Sequence, residues 1–229
     1  MSKVYIPSSG PNDWQQFLAE PEKQWRRGFS ARTVAYSWES AIGLPPEVEA
    51  LFANSGVEGF QKVELLIAIP EHKVPLPPTK GHPSQNDVFA LAKAADGRLV
   101  ALAVEAKVSE PFGPTLGEWR AGASPGKAER EEFLRSKLGL RDRELGSIRY
   151  QLMHRLASAL LEAERFNAGH AALIVHSFSQ IDEWFDDFAK FLALYGAKGE
   201  IGQLVGLGVF DQIATYAGWA RGDKKFLES

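Results

Sequence analysis

The spacing of apolar residues changes period several times along the chain, and each change predicts an element. From Thr33 the run through Tyr36, Trp38, Ala41 and Ile42 has helical spacing. It pauses at Gly43-Leu44-Pro45-Pro46 and resumes over 47–53, with Pro46 suited to a first helical turn. Residues 62–69 are instead dense in branched apolar side chains and are closed by Pro70, which predicts a buried strand. Pro75, Pro77, Pro78, Gly81 and Pro83 then exclude regular structure. Strands are predicted over 87–94 and 99–108, joined as a hairpin at Ala95-Asp96-Gly97. Glycine and proline return from Ser109 to about Gly126. The next clear element is an amphipathic helix over 147–166, striped by Leu152, Met153, Leu156, Leu160 and Leu161. After the stop signals Asn167 and Gly169, a strand over 170–178, a helix over 181–194 and a strand over 203–209 complete the pattern.

This order predicts an α/β fold with a central mixed β-sheet flanked by helices, αβββαβ plus a C-terminal αβ. We expect a single domain over 1–229: an irregular N-terminal arm over 1–32 with one short helix near 13–18, a core over 33–180 and an extension over 181–229.

Composition narrows the function. With 229 residues, 45% of them hydrophobic, the chain can bury one substantial core. The absence of cysteine excludes thiol catalysis, disulfides and cysteine metal sites. No apolar run approaches 18 residues and the N-terminus lacks a secretory pattern, so the expectation is a soluble cytoplasmic protein with no membrane partner. A formal charge of -3 denies it a global basic field. A local cluster, Arg120, Lys127, Arg130, Arg135, Lys137, Arg141, Arg143, Arg149 and Arg155, is diluted by Glu129, Glu131, Glu132, Asp142 and Glu144. It reads either as a patch or as an ordinary mixed-charge surface. Trp25-Arg26-Arg27 with Phe29 and Arg32 favours packing of the arm over stacking on bases. The five histidines form no His-x-x-x-His pair, and no Gly-x-Ser-x-Gly elbow is present. Trp184, Phe185, Phe188 and Phe191 have core spacing.

The chemistry gathers at the hairpin. If Gly97 turns left-handed as a bulge, Ala94 faces Arg98 and, counting back, Asp87 faces Glu105; Lys107 then shares their side of the sheet. A two-residue turn would instead put Asp87 opposite Ala106, on the other face. Two adjacent carboxylates favour a hard divalent cation between them, and a nearby lysine can hold a water or neutralise charge developing on a phosphate.

Asp87, seventeen intervening residues and Glu105-Ala106-Lys107 resemble the PD-(D/E)XK nuclease superfamily, whose restriction-endonuclease-like core has the order helix, three strands, helix, strand. The resemblance implies that Asp87 and Glu105 bind Mg2+ or Mn2+ and that Lys107 assists the water nucleophile. It further implies that Glu39 from the first core helix completes the site and that Gln151, early in the helix after the lysine, joins it. The implied activity is metal-dependent hydrolysis of phosphodiester bonds in DNA, with a homodimer left open. A catalytically inactive module of the same fold, binding nucleic acid or a partner protein, and an unrelated α/β enzyme are the alternatives. The chain departs from the motif in that the proline expected just before the aspartate lies at Pro83, and the 109–146 loop is long. Acid-x-lysine triplets also occur at Glu71-His72-Lys73 and Asp223-Lys224-Lys225. The first leads into a proline-rich loop with no expected strand partner, and the second lies near the terminus, so neither is expected to contribute.

Overall fold

Six strands, β1 (Val63–Val74), β2 (Ser84–Ala94), β3 (Leu99–Lys107), β4 (His170–Ser177), β5 (Leu204–Phe210) and β6 (Ile213–Arg221), form one sheet in the order β1-β2-β3-β4-β6-β5. The computed structural model describes residues 8–78, 80–122 and 124–229; the first seven residues of the arm expected over 1–32 lie outside the described residues. The first three strands are antiparallel, β3, β4 and β6 run parallel, and β5 pairs antiparallel with β6. The fold is therefore mixed α/β with a helix-flanked sheet, as the sequence predicts.

One face of the sheet, lined by Val88, Ala90, Leu102 and Val104, is covered by α2 (Ser30–Ser40) and α3 (Pro46–Ala53) through Val34, Trp38, Leu51 and Phe52. The other face, lined by Phe89, Leu91, Ala101 and Ala103, is covered by α6 (Tyr150–Arg165) through Leu152, Leu156 and Leu160, with α5 (Pro125–Lys137) and α7 (Phe185–Ala193) beside it. Phe188, which packs on Trp219, and Phe191, which packs on Tyr195, are core residues, as their spacing predicts. The arm forms a 3-10 helix over Pro11–Phe17 and the short α1 (Pro21–Gln24). Among the described residues, no helix is long and apolar enough to cross a membrane.

Three differences from the sequence reading have physical causes. β1 does not stop at Pro70 but continues to Val74, because it is the edge strand, where a proline costs little pairing. β6 follows β5 through Asp211-Gln212, both left-handed at φ 49° and 66°, a tight turn made without the glycine that usually announces it. β6 then lies inside the sheet, so 181–229 is built into the core instead of extending from it. The long loop contains α4 (Leu116–Arg120), closed by a Thr115/Glu118 capping box, and α5, whose only buried residues are Arg130 and Leu134.

Candidate functional site

The turn at Gly97 sets the register. Gly97 is left-handed at φ 87°, and the Ala94 amide donates to the Arg98 carbonyl at 2.9 Å. The ladder runs from Lys93 opposite Leu99 to Val88 opposite Val104, which leaves Asp87 opposite Glu105 one step further on. The bulged register is thus the observed one, and the two-residue turn is not formed. On the outer side, Pro70 faces Val88 and His72 faces Asn86, so Glu71 faces Asp87. Glu71, Asp87 and Glu105 consequently form a row across three strands, on the side of the sheet covered by α6. Glu71 itself is left-handed at φ 52°, an uncommon conformation for a residue with a side chain.

The first turns of α6 complete the row. Arg155 Nε donates to Glu105 Oε2 at 2.6 Å, and Gln151 Nε2 donates to Glu105 Oε1 at 2.7 Å. Lys107 Nζ approaches the same Oε1 at 2.5 Å. Asp87 Oδ2 accepts the Ala106 amide at 2.6 Å, and Gln85 Nε2 donates to Glu71 Oε2 at 2.6 Å. All these side chains line one cleft of about 440 Å3, whose outer wall is the arm, including Lys23, Gln24 and Phe29.

The acids differ in charge state. Burial raises Glu105, but Lys107 and Arg155 outweigh it and hold this carboxyl below its ordinary range. Burial, reinforced by the Glu105 charge, pushes Asp87 up to about 7. Burial, reinforced by Asp87, pushes Glu71 up to about 8. Two of the three acids therefore carry a proton into the neutral range, because burial and a neighbouring carboxylate outweigh the pull of Arg155 on both and of Lys107 on Asp87. In this arrangement no three carboxylate or imidazole groups among the described residues converge as a metal cage.

Asp87, Glu105, Lys107 and Gln151 are brought together as the sequence reading expects, but Glu39 is not. Glu39 lies in the last turn of α2, on the opposite side of the sheet and about 13 Å of helical rise from Ser30, which does line the cleft. Its Oε1 accepts the Trp14 indole N–H and the Ser8 hydroxyl, each at 2.8 Å, and so ties down the arm. Two acids of the cleft were passed over in the sequence reading: Glu71, discounted there because Pro70 reads as the end of a strand, and Glu110, which lines the cleft while accepting the Ser30 and Val108 amides. Arg155 was also missed as a site residue, although its spacing of four from Gln151 places both on one helical face.

The basic cluster is largely neutralised in place. Arg135 pairs with Glu131, Lys137 with Glu164 and Asp211, and Arg149 with Asp187. Arg130 is buried and donates to the carbonyls of Leu76, Pro77 and His82. In the arm, Arg32 lies over Trp25 and Tyr36, the packing arrangement. A larger cavity of about 650 Å3 lies beside α3 and the C-terminal segment, but four of its charged groups are already matched and it gathers no row of buried acids. Glu47 accepts from His176, Glu64 pairs with Lys93 and Asp223 pairs with Lys225. Chemistry, not volume, singles out the cleft.

A family profile described as a domain of unknown function, DUF6946, matches residues 7–224. No curated protein and no solved structure matches the chain.

Proposed function

The chain belongs to the DUF6946 family, whose description assigns no activity, and we propose that it hydrolyses phosphodiester bonds in DNA with the help of Mg2+ or Mn2+. The carrying observation is the row Glu71, Asp87 and Glu105 with Lys107 on the same side of the sheet, all facing one cleft. The donor set fits such a cation: the ligands are hard oxygens, and two of the acids are lifted toward neutrality by burial and by neighbouring carboxylates, a repulsion that a divalent ion would relieve. Asp87 and Glu105 would hold the ion with Glu71 beside them, and the ion would supply an activated water and Lewis-acid stabilisation. This reading extends the resemblance to PD-(D/E)XK nucleases and carries with it the proposal of a cytoplasmic location.

The chain's own groups have separate tasks. Lys107 is buried and two residues beyond Glu105, so its ammonium offers charge to a phosphate oxygen or a hydrogen bond to the attacking water. Gln151 and Arg155 fix the orientation of the Glu105 carboxylate. A non-catalytic DNA-binding module is the second reading, favoured by the full set of hydrogen bonds that Glu105 already receives.

The test is incubation of the purified chain with single-stranded and duplex circular DNA in Mg2+, Mn2+ or EDTA. Metal-dependent cleavage is expected, falling at least 100-fold in Glu105→Gln and Lys107→Ala with the circular dichroism unchanged, on the scale of losing a metal ligand or a charge-stabilising group. No cleavage with either metal, or cleavage indifferent to both substitutions, would overturn the proposal.

A further inference from the structure

The cleft does not end at the acid row. It shares Gln85, Gln151 and Arg155 with an adjoining recess of about 420 Å3. That recess shares Pro83, Tyr150 and His154 with a third, of about 450 Å3. The three recesses follow one another along the first turns of α6, from the acids to a recess walled by rings. Trp119 and Tyr150 stack there with centroids 4.2 Å apart and planes 11° from parallel, and Pro78 and Pro83 complete the walls.

The recess also offers a directed polar group. His154 Nδ1 lies 2.8 Å from Ser84 Oγ and 3.2 Å from Arg155 Nη1, which can only donate. The ring proton therefore sits on Nε2, which has no acceptor among the described residues. Burial, reinforced by Arg155, holds the His154 pKa well below its ordinary value, so the donor is a neutral imidazole.

Resting on the proposed hydrolase reading, we propose that this recess receives the unpaired base of the nucleotide next to the scissile phosphate, making single-stranded DNA the substrate. Its volume suits one nucleoside, and ring-lined walls with one fixed donor suit a planar heterocycle. A base stacked within a duplex cannot enter it without being extruded. The electrostatics point the same way. The two cations that line the recess are turned to the chain itself, Lys127 donating to the carbonyls of Trp119 and Ala121 and Arg130 to those of Leu76, Pro77 and His82, while Arg149 is paired with Asp187, so the recess does not present the broad row of free cations that a duplex backbone would engage.

Gly126 gives a clean test. It lines the recess and not the acid cleft, and a Cβ there meets only Pro78 Cγ at an ordinary 3.5 Å, so Gly126→Leu fills the space without forcing the backbone. Fluorescence anisotropy in EDTA would compare a labelled 12-residue DNA single strand with its duplex, using the full chain, Gly126→Leu and Trp119→Ala. The wild type is expected to bind the single strand at least tenfold more tightly. The variants should lose about 5- to 150-fold on the strand, the range for one stacked base. Equal affinity for strand and duplex, or wild-type strand binding by both variants, would overturn the inference. Cleavage in Mg2+ separates the two claims. Cleavage without strand preference removes only the base recess, whereas strand preference without cleavage removes only the hydrolase.

Discussion

Arg155 and Glu105 form an ion pair between α6 and the sheet, Nε to Oε2 at 2.6 Å, with side chains only 7% and 2% exposed. The pair is enclosed, so the loss of one partner leaves a buried charge short of compensation. Arg155→Ala is expected to destabilise the chain by about 3–5 kcal/mol, read by urea unfolding, and Arg155→Met by less. A loss below about 1 kcal/mol would show that water reaches this charge and that the cleft is more open than described.

The acids beside it predict a pH dependence. Asp87 is raised to about 7 and Glu71 to about 8, while both ionise near pH 4 in an unfolded chain. The folded state therefore binds more protons between these limits, and their contribution to stability is complete below about pH 4 and lost as pH rises through about 8. Melting in EDTA should show Glu71→Gln stabilised relative to wild type at pH 8.5, with the gap narrowing toward pH 5. Mn2+ should raise the wild-type midpoint more at pH 8.5 than at pH 5, because the cation takes the place of the protons. A gap that widens on acidification would contradict the sign.

Glu39 and Glu71 should behave as opposites. Glu39→Gln weakens the anchor on Trp14 and Ser8 and is expected to cost about 0.5–1.5 kcal/mol, with metal-dependent cleavage unchanged. Glu71→Gln should instead raise the metal concentration required for half-maximal cleavage about tenfold. A metal titration of both variants distinguishes them, and equal titration curves would remove Glu71 from the site.

Gly97 supports the whole arrangement from the far end of the hairpin. A Cβ there meets nothing within 4 Å, so the cost of substitution is conformational alone. Gly97→Val should destabilise by about 1–2 kcal/mol in urea unfolding, and Gly97→Asn by clearly less. Equal losses would mean that the left-handed bend is not what sets the register.

The sequence makes the hairpin legible because its information is local: one glycine fixes the bend, and strand periodicity carries that register seven residues to Asp87. Glu71 is hidden for the opposite reason. Whether Pro70 ends a strand depends on whether β1 lies at the sheet edge, which is a property of the assembled sheet. β6 escapes notice because Asp211 and Gln212 adopt left-handed conformations without glycine. α5 escapes because it buries little apolar surface and follows a glycine- and proline-rich stretch. Glu39 fails as a site residue through tertiary packing: the helix is correctly read, but the side of the sheet it covers is not written in its own residues.

Pro70 also bears on how copies of this chain meet. It stands on the outermost strand, which carries exposed Glu64 and Lys73, and it has no amide hydrogen to give. An incoming strand would find charged side chains and an interrupted line of donors, so the sheet is protected against growing through this margin. Strand-to-strand pairing between copies is therefore disfavoured at β1, the margin of the sheet that carries Glu71.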